Sequence, residues 1–229
     1  MPTIAEGLLW AIIASPLIAF ALIALYVRKM PRLAGYLAIL GIGIACALSY
    51  ITLANVIGHH GGVLIHTHHW YTAGALNVNL GVRVDGLTAI MLVVVTTVSL
   101  LVQIYSQGYM AGDPGYGRYY AHMCLFTTSM LGIVLADNLF MIFIFWELVG
   151  LSSYLLIGFW FHKPSAAAAA KKAFIVTRIG DLGFLAAIFL IWTRADTFQI
   201  DQIQHLAITG GISSFVVTWF CLGIFAGAA

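Results

Sequence analysis

The chain has 229 residues, 62% of them hydrophobic and 8% charged, with a mean hydropathy of +1.01 and a formal net charge of +2. Soluble domains carry about 25% charged residues, so this composition excludes a water-soluble fold and describes an all-α, polytopic transmembrane helical bundle. The few basic residues sit in short loops and form no stripe, which excludes a nucleic-acid partner.

About seven spanning helices are predicted in chain order. The first covers residues 4–27 and ends at the basic turn Arg28-Lys29-Met30-Pro31-Arg32. It has no basic leader and no cleavage motif, so it reads as a retained helix and not as a signal peptide. The second covers residues 33–57, and a polar outer loop at 58–83 follows with His59, His60, His66, His68 and His69. Inside that loop Leu76-Asn77-Val78-Asn79-Leu80-Gly81-Val82 alternates apolar and polar residues, the pattern of a short hairpin strand. Asp85-Gly86 caps the third span, which runs to residue 109. The turn Gly112-Asp113-Pro114-Gly115 leads to the fourth span at 116–136, and Asp137-Asn138 is a tight connection into the fifth, apolar to residue 160. Lys163-Pro164-Ser165 opens the sixth, reaching residue 192, since Pro suits a first helical turn. Residues 193–211 are polar, with Ile200-Asp201-Gln202-Ile203 read as an interfacial piece; the seventh span begins near residue 212 and is still apolar at 229.

Loop charge orients this bundle. Arg28, Lys29, Arg32, Arg118, Lys163, Lys171 and Lys172 follow the odd-numbered spans, whereas only Arg83 and Arg194 follow the even-numbered ones. The positive-inside rule then puts the first set in the cytoplasm and the N-terminus outside. Cys46, Cys124 and Cys221 lie in apolar runs without C-x-x-C spacing and read as small buried hydrophobes, forming neither disulfide nor metal site. The loop histidines lack supporting carboxylates and are read as solvated.

Two anomalies carry the chemistry. Glu147 lies about 13 Å along the fifth span from Asn138, near the centre of a hydrocarbon core about 30 Å thick. An acidic group there costs about 2.5–3.5 kcal/mol even on lenient scales, and an intramembrane ionisable residue marks a functional site by default. The sixth span buries Arg178 and Asp181, which share a helix face three residues apart and can pair. Lys171 stands on the side of Arg178, while Lys172 points elsewhere. Together these groups form a line of ionisable side chains through the membrane interior. Desolvation favours a neutral carboxyl and a neighbouring cation favours the carboxylate, so such a line suits proton movement and titrates as a set.

The segments Trp146-Glu147-Leu148-Val149-Gly150, Ser153-Tyr154-Leu155-Leu156-Ile157-Gly158-Phe159 and Lys172-Ala173-Phe174 with Thr177-Arg178-Ile179-Gly180-Asp181 resemble the distal antiporter-like subunit of respiratory complex I. This family comprises the bacterial L subunit and mitochondrial NADH dehydrogenase subunit 5. Tyr105-Ser106-Gln107-Gly108-Tyr109-Met110, Arg118-Tyr119-Tyr120-Ala121 and Leu135-Ala136-Asp137-Asn138-Leu139 carry the same resemblance. It implies one membrane domain over residues 1–229: helices 1–3 with their outer loop over 1–111, and the start of an antiporter-like repeat over 112–229, incomplete in the seventh helix. It also implies that Glu147, Lys172, Arg178 and Asp181 serve proton translocation, with Glu147 matching a Glu that pairs with a Lys on the seventh helix.

That Lys, the broken seventh helix, the eighth-helix Lys and the second inverted repeat lie beyond Phe225-Ala226-Gly227-Ala228-Ala229. The chain is therefore expected to be a fragment or one part of a split subunit, completed by the remainder of the subunit or by another chain. The resemblance further implies neighbours among the complex I membrane subunits, especially the adjacent antiporter-like one, and a lipid surround. The location implied is a bacterial inner membrane, or the mitochondrial one if organellar. No nucleotide motif, flavin site or iron–sulfur cysteine cluster occurs here, so NADH, FMN, iron–sulfur clusters and quinone are assigned to partner subunits. The runner-up is a subunit of a multisubunit Na⁺/H⁺ antiporter or membrane-bound hydrogenase; a purely structural scaffold conflicts with the mid-membrane charges.

Overall fold

The computed structural model describes residues 5–27, 30–58, 63–74 and 76–228. Arg28, Lys29, His59 and His60 lie outside these residues. The elements are α1 (Glu6–Leu22, continuing as π-helical turns over Ile23–Val27), α2 (Pro31–Gly58), β1 (Leu64–Ala73), β2 (Leu76–Val84) and α3 (Gly86–Tyr109), followed by α4 (Tyr116–Leu135), α5 (Leu139–Ile157), α6 (Pro164–Ala195), α7 (Ile200–Ile208) and α8 (Ser214–Ala228). Among the described residues, α1 with its π-turns, α2, α3, α5 and α6 are long and apolar enough to cross a membrane. The fourth predicted span, α4, has 20 residues but carries Arg118, His122 and the hydroxyl side chains of Tyr116, Tyr119, Tyr120, Thr127, Thr128 and Ser129. The seventh predicted span is the 15-residue α8.

The loop between α2 and α3 holds more regular structure than its alternation announced. The expected strand is β2, and it pairs with β1 in a two-stranded hairpin that turns at Gly74, whose φ is +59°. Strand β1 carries His66, His68 and His69, and its outward residues are exposed, so no apolar alternation betrays it. The polar segment read as an interfacial piece forms the short helix α7.

The chain divides into two compact units, residues 1–66 with 82–135 and residues 67–81 with 136–229. In the first, α1 to α4 pack around Leu9, Ile12, Ile42, Leu92, Leu131 and Leu135, all fully buried. Gly41 lets α2 approach α1, because a Cβ there would lie 2.7 Å from that of Ala19. Asp85 caps α3 by accepting the Thr88 amide at 2.8 Å.

In the second unit, α5, α6, α7 and α8 close over Leu139, Phe184, Ile188, Ile191, Phe198 and Val78. The tight turn before α5 is its anchor. Asn138 caps α5 through Met141, while its amide donates to Asn79 O at 3.0 Å. Asp137 accepts from Thr67 Oγ1 at 2.7 Å, and Leu139 N donates to Phe198 O. Both Asp137 and Asn138 are buried, and these bonds satisfy them.

Cys46 and Cys124 are buried as the sequence implies, but Cys221 is exposed. It stands on a face of α8 that nothing among the described residues covers, so an apolar surrounding sequence does not amount to burial.

Candidate functional site: a guanidinium between two carboxylates

Helices α5 and α6 lie side by side in the second unit and bring three of the four predicted residues together. Arg178 on α6 forms an ion pair with the Glu147 carboxylate on α5. The same guanidinium lies 3.4 Å from Asp181 Oδ2, one turn along its own helix. Its second terminal nitrogen donates to the Glu147 backbone carbonyl at 3.3 Å. A planar five-donor group is suited to such divided duty in a way that a lysine ammonium is not.

Two neighbours hold this arrangement that inspection for charge alone overlooks. Trp146 Nε1 donates to Asp181 Oδ1 at 3.0 Å, so each Asp181 oxygen has its own donor. The Phe174 ring, one turn before Arg178, lies 4.7 Å from the guanidinium carbon in a cation–π contact. Both residues belong to the quoted motifs, Trp146 adjacent to Glu147 and Phe174 four residues before Arg178; that adjacency was the available signal.

The motif Trp146-Glu147-Leu148-Val149-Gly150 now has a physical reading. Residues 147 and 150 share a face at i,i+3 spacing, and a Cβ at Gly150 would sit 3.6 Å from the Arg178 Nη2. Any longer side chain there would occupy the guanidinium's place. Glycines also set α6 against α8: a Cβ on Gly180 would meet Ala226 O at 2.9 Å, and one on Gly223 would meet the Ala187 Cβ at 2.7 Å.

Asp181 is 6% exposed at its side chain, and Glu147 and Arg178 are 29% and 28% exposed. Beside them is a cleft of about 400 Å³, lined mainly by apolar atoms of Phe143, Phe174, Ile175, Ile179, Leu182 and Leu185. With both carboxylates ionised, the trio carries one negative charge in excess. In a low-dielectric setting such an uncompensated charge is costly.

Lys172 is not part of this cluster. It precedes Asp181 by nine residues, which at about 100° per residue sets it on the opposite face of α6, and it is exposed. No group of three or more His, Cys, Asp or Glu able to hold a metal occurs among the described residues.

Two family models match. The one described as NADH-Ubiquinone oxidoreductase (complex I), chain 5 N-terminus covers residues 70–120, and the one described as NADH:quinone oxidoreductase/Mrp antiporter, TM covers residues 136–229. NAD(P)H-quinone oxidoreductase chain 5 of Picosynechococcus sp. is 41% identical over 230 residues, covering 95% of this chain and 34% of the relative. Subunit L of the F(420)H(2) dehydrogenase of Methanosarcina mazei is 44% identical over 176 residues, covering 77% of this chain and 26% of the relative. A chain in the structure of the Mrp complex from Dietzia sp. superposes with a TM-score of 0.81 at 27% identity, covering 96% of this chain and 23% of that one. The chain thus spans about a third of the length of the curated relatives it matches.

Proposed function

This chain belongs to the antiporter-like membrane-subunit family of NADH:quinone oxidoreductase chain 5, and from that premise we propose that it takes part in moving protons across the membrane and carries no redox centre. The observation that supports this most is the Arg178 guanidinium held between Glu147 and Asp181 on neighbouring helices. While Arg178 faces Glu147, the carboxylate keeps its charge. If Arg178 draws back toward Asp181 and Trp146, Glu147 is left in a largely apolar cleft and takes up a proton. Asp181 and Trp146 provide the resting place that makes this motion inexpensive, because the guanidinium never becomes a stranded buried charge.

Lys172, on another face of α6, is assigned the role of passing the charge state to groups outside this cluster. The segment 112–229 is read as the opening part of an antiporter-like repeat. The family premise assigns the remaining partners: the rest of the subunit or a completing chain, the adjacent antiporter-like subunit, and lipid. It also assigns NADH, FMN, iron–sulfur clusters and quinone to other subunits of the enzyme complex. The relatives' names carry two different electron donors, NAD(P)H and F(420)H(2), which supports a subunit that does not handle the donor. The proposed setting is a bacterial inner membrane, or the mitochondrial one if organellar, with the N-terminus outside.

The likeness to a chain of the Mrp complex favours one second reading, a subunit of a multisubunit cation/proton antiporter. Inverted membrane vesicles containing the assembled complex separate the two. Lumen acidification that follows electron-donor oxidation and persists without Na⁺ supports the first reading. Proton movement that requires an imposed Na⁺ gradient and no donor supports the second.

A further inference from the structure

Helix α3 wears its polar side chains on the inside. Thr96, Ser99, Gln103, Ser106 and Gln107 recur at three- and four-residue spacing and so share one stripe. Thr96 and Gln103 are fully buried and Ser106 is 2% exposed, whereas Leu87, Val94, Val98, Leu101 and Tyr105 on the other side are exposed. Helix α4 answers this stripe with hydroxyls. Ser106 Oγ and Tyr119 OH are 2.9 Å apart, Tyr120 OH donates to the Gln103 backbone carbonyl at 2.7 Å, and Thr127 Oγ1 donates to Ser99 Oγ at 3.1 Å.

The Gln103 carboxamide breaks this pattern of satisfied groups. Neither its Nε2 nor its Oε1 has a hydrogen-bond partner among the described residues. An amide left so in an apolar interior costs about 2–7 kcal/mol, and a leucine would fill the place without that penalty. One turn away along the stripe, Gln107 borders a cleft of about 470 Å³ that is also lined by Arg32, Tyr36, Asp113 and Tyr116.

We propose that Gln103 is the inner end of a water-binding seam between α3 and α4. Water bridges its carboxamide to the Ser106–Tyr119 hydroxyl pair and continues to the cleft at Gln107. Buried waters typically make about three hydrogen bonds to otherwise unsatisfied groups, and this stripe offers an amide donor, an amide acceptor and two hydroxyls. The ligand is water, and with it the protons that a hydrogen-bonded file of water carries. The seam lies wholly within the first unit and shares no residue with the Glu147 cluster, so it holds or fails on its own.

A structure of the assembled complex at a resolution that shows waters tests it. Ordered water within about 3.2 Å of both amide atoms of Gln103 is expected; a carboxamide bonded only to protein groups overturns the proposal. Gln103→Glu and Gln103→Met read the same point through assembly yield. In a wet seam both assemble at near-wild-type yield, because water solvates the carboxylate, and the Met variant loses the water. In a dry one the Glu variant falls tenfold or more while the Met variant assembles, which also overturns it. If neither variant assembles, the wild-type density decides.

Discussion

Arg178 is ion-paired with Glu147 across the α5–α6 contact while staying 3.4 Å from Asp181 on its own helix. One cation therefore answers two carboxylates, and the energetics of all three are coupled. Groups sharing one network show interaction energies of about 0.5–3 kcal/mol. The loss of assembly stability in Arg178→Gln/Asp181→Asn should be smaller than the sum of the two single losses. Thermal unfolding of the assembled complex for both singles and the double checks this; simple additivity would show that the pair does not interact.

Gly150 is the second point of leverage. A Cβ there lies 3.6 Å from Arg178 Nη2, an ordinary contact, so Gly150→Ala should keep near-normal assembly and proton movement. Gly150→Leu should push the guanidinium off Glu147 and depress proton movement as strongly as loss of the cation itself. Comparing the two variants in vesicles checks this, and equal activities would argue that the guanidinium's position is immaterial.

The glycine contact between α6 and α8 gives a packing prediction. A methyl on Gly223 would lie 2.7 Å from the Ala187 Cβ and 2.9 Å from Gly183 O, and the backbone atom cannot swing aside. Gly223→Ala should destabilise by about 1–3 kcal/mol, read as a lower unfolding midpoint of the assembled complex. Unchanged stability would show that the helices part freely.

Asp85 supplies a pH dependence. The Thr88 amide bonded to its carboxylate, aided by Arg83, holds its pKa below the ordinary value of 3.8 despite partial burial. With the folded pKa depressed, the cap's contribution is fully present above the unfolded value and is lost as pH falls through the folded one. Asp85→Ala should cost about 1 kcal/mol at neutral pH. Asp85→Asn should retain most of the cap and flatten the acid limb of the stability curve below about pH 4; an unchanged acid limb would contradict the assignment.

Much of this architecture is legible in the residues. The apolar runs locate the helices, Asp85 and Asn138 mark two helix starts by their short side chains, and i,i+3 spacing announces the Arg178–Asp181 contact. The Glu147–Arg178 pair is not legible in that way, because it joins residues 31 positions apart, and no local period reports which faces of α5 and α6 meet. Strand β1 is hidden for another reason: a hairpin strand exposed at His68 and His69 needs no apolar alternation. Cys221 shows the converse, since apolar neighbours do not say whether a face is covered.

The proposed role of Glu147 is tested most directly by Glu147→Gln in the complete, assembled complex, scored as protons moved per electron in sealed vesicles. The variant keeps the side chain's size and an oxygen for Arg178, but it cannot bind and release a proton. The expected result is normal assembly and donor oxidation with a markedly lower proton-to-electron ratio. A wild-type ratio, with assembly confirmed, would contradict the account.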